Sequence, residues 1–169
     1  LRGHQLNPSK PPSTYRLLYL NANGLLSSRP YNKTATIVTT AHQFDPDAIL
    51  CTEVEAFMGN ITIRKGNEQI FKQMGNGGSL LWGYNTYHLS TSSPRAYPTR
   101  LAGGVCQWFG PRVINRLAHT PPDLLGRFVI STILGPRNQA ISIITAYRPV
   151  KIGSGVNPVF QQHLSLIHI

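Results

Sequence analysis

Three polar residues each stand at the end of a short apolar run, and together they could carry one chemistry. Asn21 follows Arg16–Leu20, Glu53 follows Ala48–Thr52, and Tyr147 closes Ala140–Tyr147. An amide, a carboxylate and a phenol meeting at one point suit phosphodiester hydrolysis. The carboxylate would hold Mg²⁺, which takes oxygen ligands and keeps several waters, while neutral donors orient the phosphate oxygens. Taken singly, each has a plainer role: Asn21 is a good turn residue, Glu53 a solvated strand end, and Tyr147 a strand core residue. Their convergence in one cleft is expected from placing all three at the carboxyl ends of adjacent strands.

Those elements read as α/β. The Arg16–Leu20 run, ended by Asn21-Ala22-Asn23-Gly24, predicts a buried strand and a turn. From Tyr31 to Phe44, apolar Ala35, Ile37, Val38, Ala41 and Phe44 recur at near-helical spacing, and Asp45-Pro46 stops the helix. Ala48–Thr52 is a second buried strand, so the stretch makes a right-handed βαβ unit with two parallel strands. Gly66–Gly75 predicts a short helix and Ser79–Tyr84 a strand, followed by a long loop over Asn85–Arg100 rich in Thr, Ser, Pro and Tyr. Gly104–Phe109, Arg127–Leu134 and Ala140–Tyr147 complete the strands. In open α/β sheets, ligands gather beyond the carboxyl ends of strands, where Asn21, Glu53 and Tyr147 stand.

Charge narrows the partner. The 169 residues carry 16 Lys plus Arg against 6 Asp plus Glu, a formal net charge of +10, with 41% apolar residues, enough to fold around a core. Asp123 is the single acidic residue after Glu68, so the excess lies in the later part. Arg95, Arg100, Arg112 and Arg116, interleaved with Tyr84, Tyr87, Tyr97 and Trp108, suit a polynucleotide backbone: Arg neutralises phosphates and aromatics stack on bases. An ordinary solvated basic face is the competing reading. Cys51 and Cys106 lie inside apolar runs without ligand spacing, which excludes a disulfide framework or thiolate zinc site and predicts reduced core thiols. No run approaches the ~20 apolar residues of a membrane span, and no secretory signal is recognisable at Leu1–Pro12. A soluble intracellular protein is expected. Gly75–Gly78 lacks the Lys-Ser/Thr of a phosphate loop and reads as a turn, and Asn32-Lys33-Thr34 and Asn60-Ile61-Thr62 read as coincidental glycosylation patterns.

The ends read differently from the middle. Residues 1–14 are polar, Pro-rich and patternless, as in a linker or truncated upstream segment, and 15–163 form the folded unit. Leu164–Ile169 matches a translated sequencing-adapter end and is set aside as an artefact.

Leu20-Asn21-Ala22-Asn23-Gly24-Leu25, then Asp45-Pro46-Asp47 through Thr52-Glu53, then Ile143–Tyr147 with Arg148-Pro149, resemble motifs of the endonuclease/exonuclease/phosphatase superfamily. The likeness is greatest to the apurinic-type endonuclease domain that precedes reverse transcriptase in non-LTR (LINE-type) retroelements. It spans about Tyr15 to His163, with the motifs in order.

The resemblance implies the N-terminal portion of a four-layer α/β/β/α sandwich of the DNase I-like kind. It implies that Asn21 and Tyr147 are catalytic contacts to the scissile phosphate, that Glu53 ligates Mg²⁺, and that Asn23 is a secondary phosphate contact. Thr52 stands where relatives carry Gln, which alters how Glu53 is oriented. The Gly-Asp-Phe-Asn-like and Ser-Asp-His-like motifs that hold the family's water-activating Asp, its Asn and its transition-state His do not occur. The chain is expected to hold about half of an active site, and to be inactive alone. His42, His88 and His119 are isolated, and an isolated His is usually a surface or satisfied residue.

The implied function is Mg²⁺-dependent nicking of DNA within a retroelement reverse-transcriptase polyprotein, in the nucleus where the host is eukaryotic. A repair nuclease, a phosphatase of the same superfamily and a catalytically silent nucleic-acid-binding module are the alternatives. Excess positive charge favours a polynucleotide over a small phosphate.

Overall fold

The computed structural model describes residues 10–11, 14–25, 33–56, 59–75, 77–82, 104–119 and 127–147. The chain begins with β1 (Leu17–Asn21), α1 (Lys33–His42) and β2 (Ala48–Thr52). β1 and β2 are hydrogen-bonded neighbours in parallel, Leu17 opposite Ala48 and Asn21 opposite Thr52. This is the βαβ unit that the periodicity predicts. α1 buries Thr34, Val38 and Ala41, one side of a helix at i, i+4 and i+7. It ends as Asp45 takes a left-handed φ of 42° before Pro46.

α2 (Ile61–Phe71) starts earlier than its expected span of Gly66–Gly75. Gly66 interrupts the helical pattern, but Asn60 restores the start: its side chain accepts from the Thr62 and Ile63 N–H groups at 2.9 and 3.3 Å. The apparent glycosylation pattern at Asn60 is thus a helix cap. A 3₁₀ turn at Lys72–Met74 carries α2 to β3 (Ser79–Trp82). The predicted loop Asn85–Arg100 lies outside the described residues. β4 (Val105–Phe109) follows, then a short helix α3 (Pro111–Ile114), β5 (Leu117–His119), β6 (Phe128–Leu134) and β7 (Ala140–Ala146). β5 and α3 carry no sequence pattern long enough to announce them.

The expected mixed α/β architecture is present, and its strands divide between two sheets. β1-β2-β4-β3 form one mixed sheet and β5-β6-β7 an antiparallel second sheet. β4 is antiparallel to both β2 and β3. One face of the first sheet, through Ile49, Cys51, Leu80, Cys106 and Trp108, packs against Val38 and Ala41 of α1 and Ile70 and Phe71 of α2. The opposite face, through Ala48, Leu50 and Phe109, packs on Ile133 and Ile143 of the second sheet. Every residue of β4 is buried because both faces are covered.

The two sheets are also joined by a polar group. Gln107, fully buried on β4, donates to the Val129 carbonyl at 3.1 Å, the Ile143 carbonyl at 3.2 Å and the Thr145 hydroxyl at 2.9 Å. Its own carbonyl accepts from the Ser131 hydroxyl. A buried amide with all these partners fixes how the sheets stack, since any slip would strand it unbonded.

Cys51 and Cys106 face one another across β2 and β4, both fully buried. Their mutual hydrogen bond and the loss of water push the Cys106 thiol well above its ordinary pKa. Cys106 is thus a protonated core thiol, and both cysteines are buried in the core as their apolar context predicts.

Candidate active site

The turn after β1 is zipped to the segment after β2. Ala22 N–H donates to the Thr52 carbonyl at 2.8 Å, Gly24 N–H to Glu53 at 2.7 Å, and Leu25 N–H to Val54 at 2.6 Å. Parallel pairing therefore continues past both strands and brings Asn21 and Asn23 alongside Glu53. The turn is locally braced. Asn21 Oδ1 accepts from Asn23 N–H at 3.0 Å, an Asx turn. Asn23 and Gly24 take left-handed φ values of 44° and 96°, and Lys33 Nζ donates to the Asn23 carbonyl at 2.6 Å.

The segment after β2 is unusual in its backbone. Glu53 and Glu55 both hold left-handed φ values, 51° and 49°, which cost L-residues other than Asn and Gly of order 1–3 kcal/mol each. Val54 and Ala56 between and beyond them are buried, and Val54 N–H reaches the Gly104 carbonyl at 3.2 Å. Core burial of alternate residues thus holds the two carboxylates half-exposed at the sheet's end. Thr52, where the family pattern has Gln, is 4% exposed, and its hydroxyl lies 3.2 Å from that of Tyr19.

Tyr147 arrives from the second sheet. Asn21 and Glu53 follow neighbouring strands, but β7 belongs to the facing sheet, so the expectation of three adjacent strands is corrected. The inter-sheet packing supplies the proximity instead: β7 stacks over β2 and β4. Burial, and then the charges of Glu53 and Glu55, raise the Tyr147 phenol above its ordinary pKa. At neutral pH it is a hydrogen-bond donor in a negative field. Glu55 is a member of this cluster that sequence reading passed over; its only signal was a second acidic residue two positions after Glu53.

Of the four arginines expected at a nucleic-acid face, the two that are described, Arg112 and Arg116, do not lie there. Arg112 begins beyond the Phe109 end of β4, which pairs with Ala48, at the end of the sheet opposite Thr52 and Glu53. With six residue steps between Asp47 and Glu53, the separation is roughly 20 Å. Arg112 is committed to Asp47, donating from Nε at 2.8 Å and from NH2 at 2.6 Å. Arg116 donates to the Tyr15 hydroxyl at 3.0 Å. Trp108 is 2% exposed, which removes it as a stacking platform for bases. Arg95, Arg100, Tyr84, Tyr87, Tyr97 and His88 lie outside the described residues. His42 ends α1, just before β2 begins and so far from Glu53, and His119 lies on β5.

Asp47 is the centre of a separate cluster at that far end. Its carboxylate is 2% exposed and binds Lys10 Nζ at 2.6 Å and the Arg16 N–H at 2.8 Å, besides Arg112. Burial alone would raise its pKa, but these donors outweigh it and hold the carboxyl below the ordinary aspartate value.

Among the described residues, no three His, Cys, Asp or Glu side chains gather as a metal cage. No described helix is long and apolar enough to cross a membrane.

Neither a protein-family model nor a curated protein matches this chain in sequence. In fold it is similar to a solved structure, an endonuclease/exonuclease/phosphatase family protein from Leptotrichia buccalis C-1013-b, with a TM-score of 0.51 and 14% identity. The match covers 92% of this chain and 63% of that one. At such identity the likeness establishes the fold: sheets with flanking helices in a DNase I-like arrangement.

Proposed function

We propose that this chain is part of an Mg²⁺-dependent phosphodiesterase domain that nicks DNA, belonging to a retroelement reverse-transcriptase polyprotein and acting inside the cell, in the nucleus where the host is eukaryotic. What supports the reading is that Tyr147, at the end of the second sheet, lies in the field of Glu53 and Glu55 at the end of the first, with the Asn21 turn hydrogen-bonded beside Glu53. The donor chemistry fits a hydrated Mg²⁺, which commonly binds through one or two carboxylates and keeps its remaining waters. Glu53 would hold the ion. When bound, Mg²⁺ supplies neutralisation of charge developing on the phosphate oxygens.

The chain's own residues then divide the work of orientation. The Tyr147 phenol, kept protonated, donates to a non-bridging oxygen of the scissile phosphate. The Asn21 amide, fixed by its turn, offers N–H donors to the same group, and Asn23 contacts a neighbouring phosphate. The water-activating Asp and the transition-state His that the resemblance implies are assigned to the longer polypeptide of which this chain is proposed to be part. DNA is the proposed partner because of the +10 net charge. Arg95 and Arg100 remain the candidates for backbone contact.

The test is nicking of supercoiled plasmid. The 169-residue chain should not nick with Mg²⁺, the same segment extended through its downstream reading frame should, and Glu53→Gln in the extended form should abolish it. An extended form that binds DNA but never cuts would identify a binding module instead.

A further inference from the structure

Along β1 and the residues before it, exposure alternates without a break. Tyr15, Leu17, Tyr19 and Asn21 are exposed, while Arg16, Leu18 and Leu20 between them are half-buried. Leu18 and Leu20 pack against the core on the helix side. The exposed row therefore lies on the other face of the first sheet, the face on which Leu50 of β2, opposite Tyr19 in the ladder, packs against the second sheet. The second sheet stacks over β2 and β4 and leaves this row open at its side: Leu17 is 47% and Tyr19 64% exposed. Both tyrosine rings of the row are held by their hydroxyls. Tyr19 reaches the Thr52 hydroxyl at 3.2 Å, next to Glu53, and Tyr15 accepts from Arg116 at 3.0 Å. A ring anchored at its tip presents its face at little further entropic cost.

Tyr19 stands two steps before Asn21 on the same face, roughly 7 Å along the strand. Charge favours an anionic occupant for the row. No acidic residue precedes Asp45 in the sequence, Arg116 stands at the Tyr15 end, and Lys33 Nζ meets the Asn23 carbonyl at the other. The carboxylates at the Asn21 end, Glu53 and Glu55, belong to the proposed phosphodiester site. We infer that this row is the track of an unpaired DNA strand, with the Tyr19 ring stacked on the base next to the phosphate held at Asn21. The inference rests on the reading of that site given above and names its substrate class: DNA whose bases are unstacked beside the scissile bond. A base inside a duplex is covered by its neighbours and offers Tyr19 no face. Every base has a π-face, so Tyr19 fixes position along the strand and reads no sequence. A protein segment would be served equally by aliphatic side chains; the two anchored rings and the absence of carboxylates along the row favour nucleic acid.

The test uses the 169-residue chain with tyrosine ring carbons labelled with ¹³C, the Tyr19 signal being the one lost in Tyr19→Phe. A short single-stranded oligothymidylate should shift that signal, while an abasic strand of the same length, which keeps the phosphates, and a closed-ended duplex should leave it in place. By fluorescence anisotropy, Tyr19→Leu should weaken binding of the oligothymidylate about tenfold, and Tyr19→Phe, which keeps the ring, should stay within about threefold of wild type. The slope of affinity against salt should be equal in all three, since no phosphate contact is removed. A signal that the oligothymidylate leaves unmoved, or that the abasic strand or duplex moves equally, would overturn the proposal. Undiminished binding by Tyr19→Leu would do the same. Loss of the shift in the chain extended through its downstream reading frame would also overturn it and identify the row as a seat for protein. Plasmid nicking by the extended form with an unmoved Tyr19 signal removes this proposal alone. A shifted signal without nicking keeps the stacking contact and removes the phosphodiester reading.

Discussion

Tyr147 at the end of β7 lies in the field of Glu53 at the end of β2, although the two strands belong to different sheets. Its phenol should therefore titrate above an ordinary tyrosine, and Glu53→Gln should lower that value, with Glu53→Gln/Glu55→Gln lowering it further. Part of the upward shift should survive, because burial is its largest cause. The folded-state pKa exceeds the unfolded one, so the associated stability is intact below about pH 10 and is lost as pH rises through the folded value. Difference absorbance of phenolate between wild type and Tyr147→Phe measures it. Identical titrations in wild type and Glu53→Gln would show that the two groups do not meet.

Asp47 shows the opposite sign. Its pKa is held below the ordinary value by Lys10, Arg16 and Arg112 against the effect of burial. The stability it contributes is present above about pH 3.9 and lost as pH falls through its folded value. Asp47→Asn should cost about 3 kcal/mol at neutral pH, because Lys10, 7% exposed, would keep only the longer, exposed pair with Asp45 at 3.4 Å and the Arg16 and Arg112 donors would lose their anion. It should also flatten the acid limb of a Tm-against-pH curve. A limb as steep as in wild type would place the acid-sensitive carboxylate elsewhere.

Arg112 belongs to that cluster and not to a nucleic-acid face. Arg112→Ala should lower stability by only about 1 kcal/mol, since its side chain is 59% exposed and the other donors to Asp47 remain. It should leave the salt dependence of DNA binding unchanged, whereas Arg95→Ala/Arg100→Ala should flatten the slope. Fluorescence anisotropy across a salt series distinguishes them, and a flattened slope in Arg112→Ala would restore it to the binding surface.

Gln107→Leu should destabilise the fold by about 2–4 kcal/mol, because the buried Ser131 and Thr145 hydroxyls would lose their inter-sheet partner. Ile133→Val, in the same interface, should cost about 1 kcal/mol. Urea midpoints compare the two. Equal, small losses would mean that apolar contact alone joins the sheets.

What was legible in the sequence was local. The apolar run Ala48–Thr52, the helical spacing of Val38 and Ala41, and the break at Asp45-Pro46 specify strand, helix and boundary through neighbours within a few residues, and the structure contains them. A parallel β1–β2 pair then follows from the handedness of the crossover, which places Asn21 next to Glu53 before any contact is known. Tertiary structure decided the rest. Gln107 reads as one polar residue in a strand, yet its partners lie 22 to 38 residues away. Arg112 counts toward a basic region, yet a carboxylate 65 residues earlier claims it. Tyr147 acquires its significance only when the second sheet stacks on the first. A residue's period along the chain shows which face it takes, but the charge opposite that face comes from a distant segment, and only the packing of the two sheets brings them together.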